Sequence, residues 1–151
     1  KTGFPTNNPE DWRTITDILI HGAFHCANTV APFMLKQGAG VMVNIVDMLA
    51  MYPRPGYMAH SVGKAALLAL TRQLAVDLAP QVRVNAVCPG PVLPPEHYSD
   101  QANARIAKRT LMQQWGTPND VSRAVIFLVE SDYITAETIF VDGGERFGSK
   151  L

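Results

Sequence analysis

Two basic side chains stand four residues apart in the segment PGYMAHSVGKAAL, which covers residues 55–67. The segment predicts a helix that begins after a Pro-Gly turn, so His60 and Lys64 lie on one helix face, a single turn apart. Histidine has an unperturbed pKa of about 6.5 and can donate or accept a proton near neutral pH. The spacing predicts a proton-transfer pair. The alternative, with equal weight, is that His60 is an inert polar residue at a site that has lost its catalytic role.

One other group of side chains has the spacing of metal ligands. His21 and His25 stand four residues apart, and Cys26 follows directly. No second group of ligands accompanies them, so we predict no metal site. Cys26 and Cys88 both lie among apolar residues, which predicts buried free thiols rather than a disulfide. Free thiols suit a reducing compartment, and we expect a cytoplasmic protein.

Composition limits the classes of partner. The chain has 151 residues, a formal net charge of zero and a hydrophobic fraction of 47%, which suits one domain with a sizeable core. A balanced charge without a basic run argues against nucleic acids and anionic membranes as partners. No apolar stretch approaches the roughly 20 residues that span a bilayer, and no signal peptide opens the chain.

Helices and strands that alternate along the chain must position these residues. The predicted helices run from the Asn8 cap to about Lys36, from Tyr57 to Leu78, from Ser99 to Gln113, and from Pro118 to about Glu130 with Thr117 as cap; the predicted strands cover residues 40–46, 82–88 and 137–141. Gly22 or Pro32 is the expected kink point of the first helix. Apolar strands that alternate with helices predict a single α/β domain over residues 1–151, with a parallel sheet.

Four segments, in order, resemble the C-terminal half of a short-chain dehydrogenase/reductase. VMVNIVD resembles the strand of the catalytic serine, HSVGKAAL the Tyr-x-x-x-Lys helix, VRVNAVCPG the strand and turn beside the nicotinamide, and ITAETIFVDGG the closing strand. The resemblance implies a Rossmann-like, doubly wound parallel sheet. NIVD, PRPGY and PGPVLPPE are most similar to the pteridine reductase branch, which has aspartate where most members have serine and reduces dihydropteridines with NADPH.

The resemblance implies an NADP(H)-dependent oxidoreductase, with NAD(H) still open, and it assigns roles to catalytic residues. Asp47 stands at the serine position, His60 at the tyrosine position and Lys64 at the lysine position. An Asp47–His60 hydrogen bond would orient the imidazole, although an imidazole is shorter than the phenol it replaces; the alternative for Asp47 is a strand-end cap without a chemical role. Leu19 replaces the asparagine that usually anchors a proton-relay water.

Other residues are implied as ligand contacts. Lys64, Pro89, Gly90 and Val92 would contact the nicotinamide and its ribose, and Phe4, Tyr57 and Leu93 would contact the substrate. Phe4 would stack on a flat ring such as a pterin, with loop packing as the alternative. Tyr57 and Leu93 would line the pocket beyond the strand ends.

Departures from the family pattern leave an alternative function. The chain contains no glycine-rich Gly-x-x-x-Gly-x-Gly turn for the pyrophosphate, so we expect a fragment of a longer protein and weak NADPH binding by these residues alone. The replaced tyrosine and asparagine favour a catalytically degenerate relative that serves as a binding or interaction protein. In either case we expect a homodimer or homotetramer through the two long helices near 11–36 and 57–78, because Ala65, Ala66 and Ala69 permit close approach of a second helix.

Overall fold

The computed structural model describes residues 4–5 and 8–148. Within this part of the chain, the strands β1 (Gly40–Ile45), β2 (Val82–Pro89) and β3 (Thr138–Val141) form one sheet in the order β1-β2-β3. Both strand pairs are parallel, with Val43 opposite Asn85 in one and Cys88 opposite Phe140 in the other. The parallel register brings the carboxyl ends of all these strands to one edge of the sheet.

Helices connect the strands and cover the sheet. They are α1 (Pro9–Thr16), a π-helical turn (Asp17–Gly22), α2 (Ala23–Gln37), α3 (Met58–Asp77), α4 (Asp100–Ala107) and α5 (Pro118–Glu130), with 3-10 turns at Met48–Ala50 and Glu145–Phe147. The α/β, Rossmann-like fold expected from the sequence is confirmed. The predicted bounds of the first, second and last helices agree with the structure to within about one residue.

The first long helix follows its sequence signals at both ends. The Asn8 side chain accepts a hydrogen bond from Glu10 N at 3.2 Å, and the helix ends at Gly38, whose φ of 78° is left-handed. The irregularity in its middle is the π turn that ends at Gly22, while Pro32 remains inside α2. Leu19, within this turn, packs on α3: a Cβ added at Gly63 would lie 2.7 Å from Leu19 Cδ1. Only glycine permits this close approach of the two helices.

Buried polar side chains fix the sheet to the segment before β3. Arg83 donates hydrogen bonds to the carbonyl oxygens of Leu128 and Val129, each at 2.8 Å, at the C-terminus of α5. The fully buried Asn85 donates to the Ile134 carbonyl at 2.9 Å and accepts from Glu137 N at 3.0 Å. These hydrogen bonds satisfy backbone groups that have no partner within a helix or the sheet. They hold the segment between α5 and β3 in one conformation.

Two sequence predictions are wrong in detail. The helix predicted over 99–113 ends at Ala107, because the buried Thr110 hydroxyl binds the carbonyl oxygens of Ala107 and Gln114 and Gln113 adopts a left-handed φ of 54°. Cys26 was expected to be buried, but it is exposed. It lines a small open depression beside β1, together with Ala27, Val30 and Met42.

The first long helix is longer and more apolar than the sequence analysis expected for a segment of this chain. The segment Pro9–Gln37, 29 residues long, is long and apolar enough to cross a membrane by length and composition, and 6% of its most apolar window is buried. The core helix of a soluble protein passes the same test. This helix exposes apolar side chains such as Ile18 and Phe33. The segment is therefore a helix with an uncovered apolar surface.

The start of α5 yields a prediction for stability. The Thr117 hydroxyl accepts from Asp120 N, and the Asp120 carboxylate accepts from Thr117 N at 2.8 Å, forming a capping box. The Thr117 hydroxyl also donates to Asp120 Oδ2 at 2.8 Å. This bond, followed by the one from Thr117 N, lowers the pKa of Asp120, so the contribution of both bonds is full above its unfolded pKa and is lost as pH falls through the lowered value. We expect Thr117→Ala to lower the free energy of unfolding by about 1 kcal/mol at neutral pH.

Urea denaturation at neutral and acidic pH measures this change. Thr117→Ser keeps the hydroxyl and is the matched control, so its unfolding midpoint should stay near that of the natural chain. A Thr117→Ala effect of equal size at neutral pH and below the lowered pKa of Asp120 would contradict the capping-box explanation.

Candidate active site

A cleft of about 420 Å³ opens at the carboxyl ends of β1 and β2. Ligands of open parallel sheets bind at this edge of the fold. The residues that line the cleft are Asp47, Met48, Leu49, Arg54, Tyr57, Pro89, Gly90, Pro91, Leu93, Pro95, Tyr98, Ile106, Arg109, Trp115 and Glu145. Apolar walls with a few charged groups are typical of small-molecule sites.

Asp47 joins the end of β1 to the first turn of α3. Its Oδ1 accepts a hydrogen bond from Leu49 N at 2.7 Å and so caps the short 3-10 turn. Its Oδ2 lies 3.4 Å from Nε2 of His60. The cap function that the sequence left as an alternative is therefore present, and it leaves the second oxygen for the histidine.

Lys64 follows His60 by one turn of α3. Its Nζ donates a hydrogen bond to the carbonyl oxygen of Ile45 at 2.8 Å, which ties α3 to the last residue of β1. Burial lowers the pKa of Lys64, and the negative charge of Asp47 partly opposes this shift. Asp47, His60 and Lys64 thus form one group at the strand end.

Cys88 lies within β2, close to the same group, and is fully buried. Burial raises the pKa of its thiol to about 12, and the nearby carboxylates of Asp47 and Asp142 act in the same direction. A thiol with so high a pKa stays protonated at neutral pH and is a poor nucleophile. Cys88 is consequently a packing residue beneath the cleft.

The turn after β2 brings some of the expected ligand residues to the cleft. Pro89 and Gly90 line it, and Gly90 packs against the backbone of the next strand: an added Cβ would lie 2.7 Å from Asp142 Cα. The side chain of Val92 packs toward Gly116, whose added Cβ would lie 3.2 Å from Val92 Cγ1. Val92 is absent from the cleft wall, because residue 92 turns its side chain beneath the loop.

The expected substrate contacts divide between two surfaces. Tyr57 and Leu93 line the cleft. Phe4 does not: its side chain is 82% exposed and borders a neighbouring depression with Pro53 and Val62. The structure therefore does not bring Phe4 to the position expected for an aromatic that stacks on a substrate in the Asp47 cleft.

Three charged residues of the cleft were missed by the sequence analysis. Arg54, Arg109 and Glu145 come from the loop before α3, the segment after α4 and the 3-10 turn that follows β3. Arg54 belongs to the PRPGY segment and could have been considered for this reason. Arg109 and Glu145 lack a local signal, because only the fold brings them together.

The sequence predicts no metal site at His21, His25 and Cys26. Among residues 4–5 and 8–148, no group of three or more His, Cys, Asp or Glu side chains is arranged to hold a metal ion. His21 lies 3.4 Å from Asp17 on the exposed side of the first helix, with Nδ1 facing the carboxylate. This contact is an exposed pair one helical turn apart.

Fold and site together define a Rossmann-like α/β protein with its ligand cleft at the strand ends. Residues 1–145 match the family model described as Enoyl-(Acyl carrier protein) reductase. The chain is 33% identical over 140 residues to the 3-oxoacyl-acyl-carrier-protein reductase FabG of Thermotoga maritima, an alignment that covers 89% of this chain and 57% of that relative. The chain belongs to the short-chain dehydrogenase/reductase family.

Solved structures agree with this assignment. The FolM alternative dihydrofolate reductase 1 of Brucella suis, solved with NADP, has a TM-score of 0.89 at 26% identity and is covered over 60% of its length by 99% of this chain. A gluconate 5-dehydrogenase of Burkholderia cenocepacia, solved with NADP and tartrate, has a TM-score of 0.89 at 27% identity. The alignment covers 97% of this chain and 60% of that one. The chain spans little more than half the length of the relatives it matches.

Proposed function

We propose that the protein containing this chain is a nicotinamide-dependent oxidoreductase that reduces a carbonyl or imine bond. The observation that carries the proposal is Asp47, which lines the cleft with Pro89 and Gly90 and whose Oδ2 lies 3.4 Å from His60 Nε2. Lys64 lies one helical turn beyond His60 and donates to the Ile45 carbonyl; neither His60 nor Lys64 is part of the cleft wall. Membership of the short-chain dehydrogenase/reductase family supports the reaction class. The NADP in two similar solved structures supports NADP(H) as the cofactor.

The donors at the strand ends fit the nicotinamide end of such a cofactor. The Lys64 ammonium has three N–H donors, and the Ile45 carbonyl takes one of them, which leaves two for ribose hydroxyls. Pro89 and Gly90 supply a close backbone wall for the ring. When bound, a reduced nicotinamide supplies the hydride for the reaction. The chain has no glycine-rich turn for the pyrophosphate, so these residues hold only one end of the cofactor.

His60 is the proton donor in this proposal. Its Nε2 lies 3.4 Å from Asp47 Oδ2, so Nδ1 is the nitrogen left to protonate the substrate oxygen or nitrogen. Loss of this proton converts the imidazolium to neutral imidazole and completes the alcohol or amine. The His60 side chain is 35% exposed, so water can return the proton.

A dihydropteridine is the particular substrate that the sequence favours. Asp47 at the serine position and the similarity to the FolM reductase support it. Because Phe4 lies outside the cleft, it does not stack on a dihydropteridine bound there. The other similar proteins act, by their names, on 3-oxoacyl groups and gluconate, so carbonyl substrates belong in the same test.

Coenzyme oxidation tests the proposed function. The full-length protein is mixed with NADPH or NADH and a dihydropteridine, a 3-oxoacyl thioester or 5-oxogluconate, and the loss of nicotinamide absorbance is followed. We expect saturable oxidation of NADPH with at least one substrate. Failure of both coenzymes with every substrate, together with no NADPH binding by calorimetry, would overturn the proposal and favour a degenerate relative.

Self-association through the long helices is part of the same proposal. Ile18 and Phe33 on the first helix and Val76 on α3 are 68%, 72% and 71% exposed, although they are large apolar side chains. A second copy of the chain that covers them gains about 25 cal/mol for each Å² of apolar surface buried.

We expect light scattering at micromolar concentration to detect dimers or tetramers. Phe33→Glu places a charge in the proposed contact and should shift the protein toward monomer. Tyr133→Glu changes an exposed aromatic residue in the segment between α5 and β3 and is the matched control. A natural chain that is strictly monomeric would contradict this proposal.

A further inference from the structure

We propose that Arg54 and Arg109 form an anion-binding subsite in the cleft, and that the substrate carries a carboxylate or an anion of similar shape. Both residues line the same cleft as Asp47 and Tyr57. That the anion is part of a substrate rests on the proposed function, whereas anion binding by Arg54 and Arg109 is independent of it.

The subsite is built around one buried carboxylate. The Glu145 side chain is 8% exposed, and its Oε1 contacts Nη2 of Arg54 at 3.1 Å. Nη2 of Arg109 contacts the same oxygen atom. A single oxygen therefore holds two guanidinium groups side by side, although they come from segments far apart in the chain.

The charges in this cluster do not balance. Two permanent cations share one carboxylate, so an excess of one positive charge stays within the cluster of Arg54, Arg109 and Glu145. The arginine side chains are 44% and 41% exposed, and each guanidinium has five N–H donors, of which the contact with Oε1 uses one. If the cluster only joined chain segments, one arginine would neutralise Glu145. The second creates a site that a planar anion can complete with paired hydrogen bonds.

The surroundings select where an anion binds within the cleft. Leu93, Ile106 and Trp115 line the cleft with the two arginines and supply apolar contacts for the uncharged part of a ligand. Asp47 repels a second carboxylate from its own end of the cleft, where its Oδ2 lies 3.4 Å from His60 Nε2. The substrate is thereby oriented with its anionic group at the arginines and its reducible bond toward Asp47, and a substrate with a cationic group at the arginines is disfavoured.

A matched pair of substrates tests the subsite by activity. A 3-oxo acid and its methyl ester differ only in the charge, and kcat/KM is measured for both with the full-length protein. We expect Arg54→Gln and Arg109→Gln each to reduce the preference for the acid at least about tenfold, because each removes a charged hydrogen-bond donor. Arg105→Gln, which alters an exposed arginine of α4, is the control and should leave the preference unchanged.

Nuclear magnetic resonance tests the same subsite without catalysis or substitution. The Nε–H signals of Arg54 and Arg109 are followed in the natural protein during titration with tartrate, a dicarboxylate. We expect both signals to shift together and to saturate, while the Arg105 signal stays in place. Circular dichroism of each glutamine variant shows that its fold is retained before its kinetics are compared.

The two readouts separate failure of this inference from failure of the proposed function. Saturable shifts at both arginines in a protein without any turnover would support the anion subsite and count against the reductase. Turnover with an equal preference for acid and ester, and arginine signals that tartrate does not move, would overturn the subsite and leave the reductase standing. Loss of the acid preference in the Arg105→Gln control would also overturn it.

Discussion

We expect the His60→Tyr variant to reduce its substrate at least about tenfold faster than the natural protein, since a proton donor misplaced by about 1 Å costs on the order of a hundredfold in rate. The imidazole of His60 contacts Asp47 Oδ2 at 3.4 Å and is shorter than a phenol at the same place. Tyrosine at residue 60 extends its hydroxyl beyond the reach of the imidazole, with the Lys64 ammonium one helical turn away to favour the ionised form.

The measurement is kcat with saturating NADPH in the full-length protein. His25→Tyr is the matched control, because it makes the same substitution at an exposed histidine of α2 and should leave kcat unchanged. His60→Ala identifies the present donor. If His60→Tyr leaves kcat unchanged while His60→Ala abolishes turnover, then histidine already works as the acid and the predicted gain is wrong.

Sequence signals with a local cause predicted most of the elements. Thr117, Pro118 and Asp120 form the start of α5 where their order indicates it, and Gly38 ends the first long helix with the left-handed backbone that glycine favours. The four-residue spacing of His60 and Lys64 placed both on α3. These features depend on residues close in the chain, so spacing alone was sufficient for them.

The remaining features depend on how distant segments meet. The contact of Arg54 and Arg109 with Glu145 joins positions separated by tens of residues, and neither periodicity nor a short motif predicts it. Cys26 has apolar neighbours in sequence, but it lines an open depression beside β1 and is exposed. The direction of a side chain on an irregular helix or loop is decided by packing, which composition does not report.

The position of Asp47 combines both kinds of information. The resemblance placed it beside His60, and the structure places their side-chain atoms 3.4 Å apart. The hydrogen bond from Leu49 N holds the carboxylate in the required orientation. The catalytic role of the pair stays a prediction. The same prediction assigns cofactor binding to Lys64, the third member of the group.

Substitution of Lys64 by methionine is expected to lower kcat/KM for NADPH at least about tenfold, because it removes a charged donor that the proposed cofactor contact requires. The same change deletes the hydrogen bond from Nζ to the Ile45 carbonyl at 2.8 Å. Lys36→Met is the matched control, since Lys36 is an exposed lysine near the end of α2 and should leave kcat/KM unchanged.

The pH dependence gives a readout specific to this ammonium group. Burial lowers the pKa of Lys64 below its ordinary value of 10.5, so the ammonium loses its proton at a lower pH in the folded protein than in the unfolded chain. Activity with NADPH should therefore fall within the window between these two values. The unfolded state binds more protons in that window, so the free energy of unfolding should rise with pH there. Lys64→Met should remove both slopes, whereas Lys36→Met should keep them. If activity in the natural protein is constant across this window while stability rises as expected, Lys64 is a buried structural lysine and does not contact the cofactor.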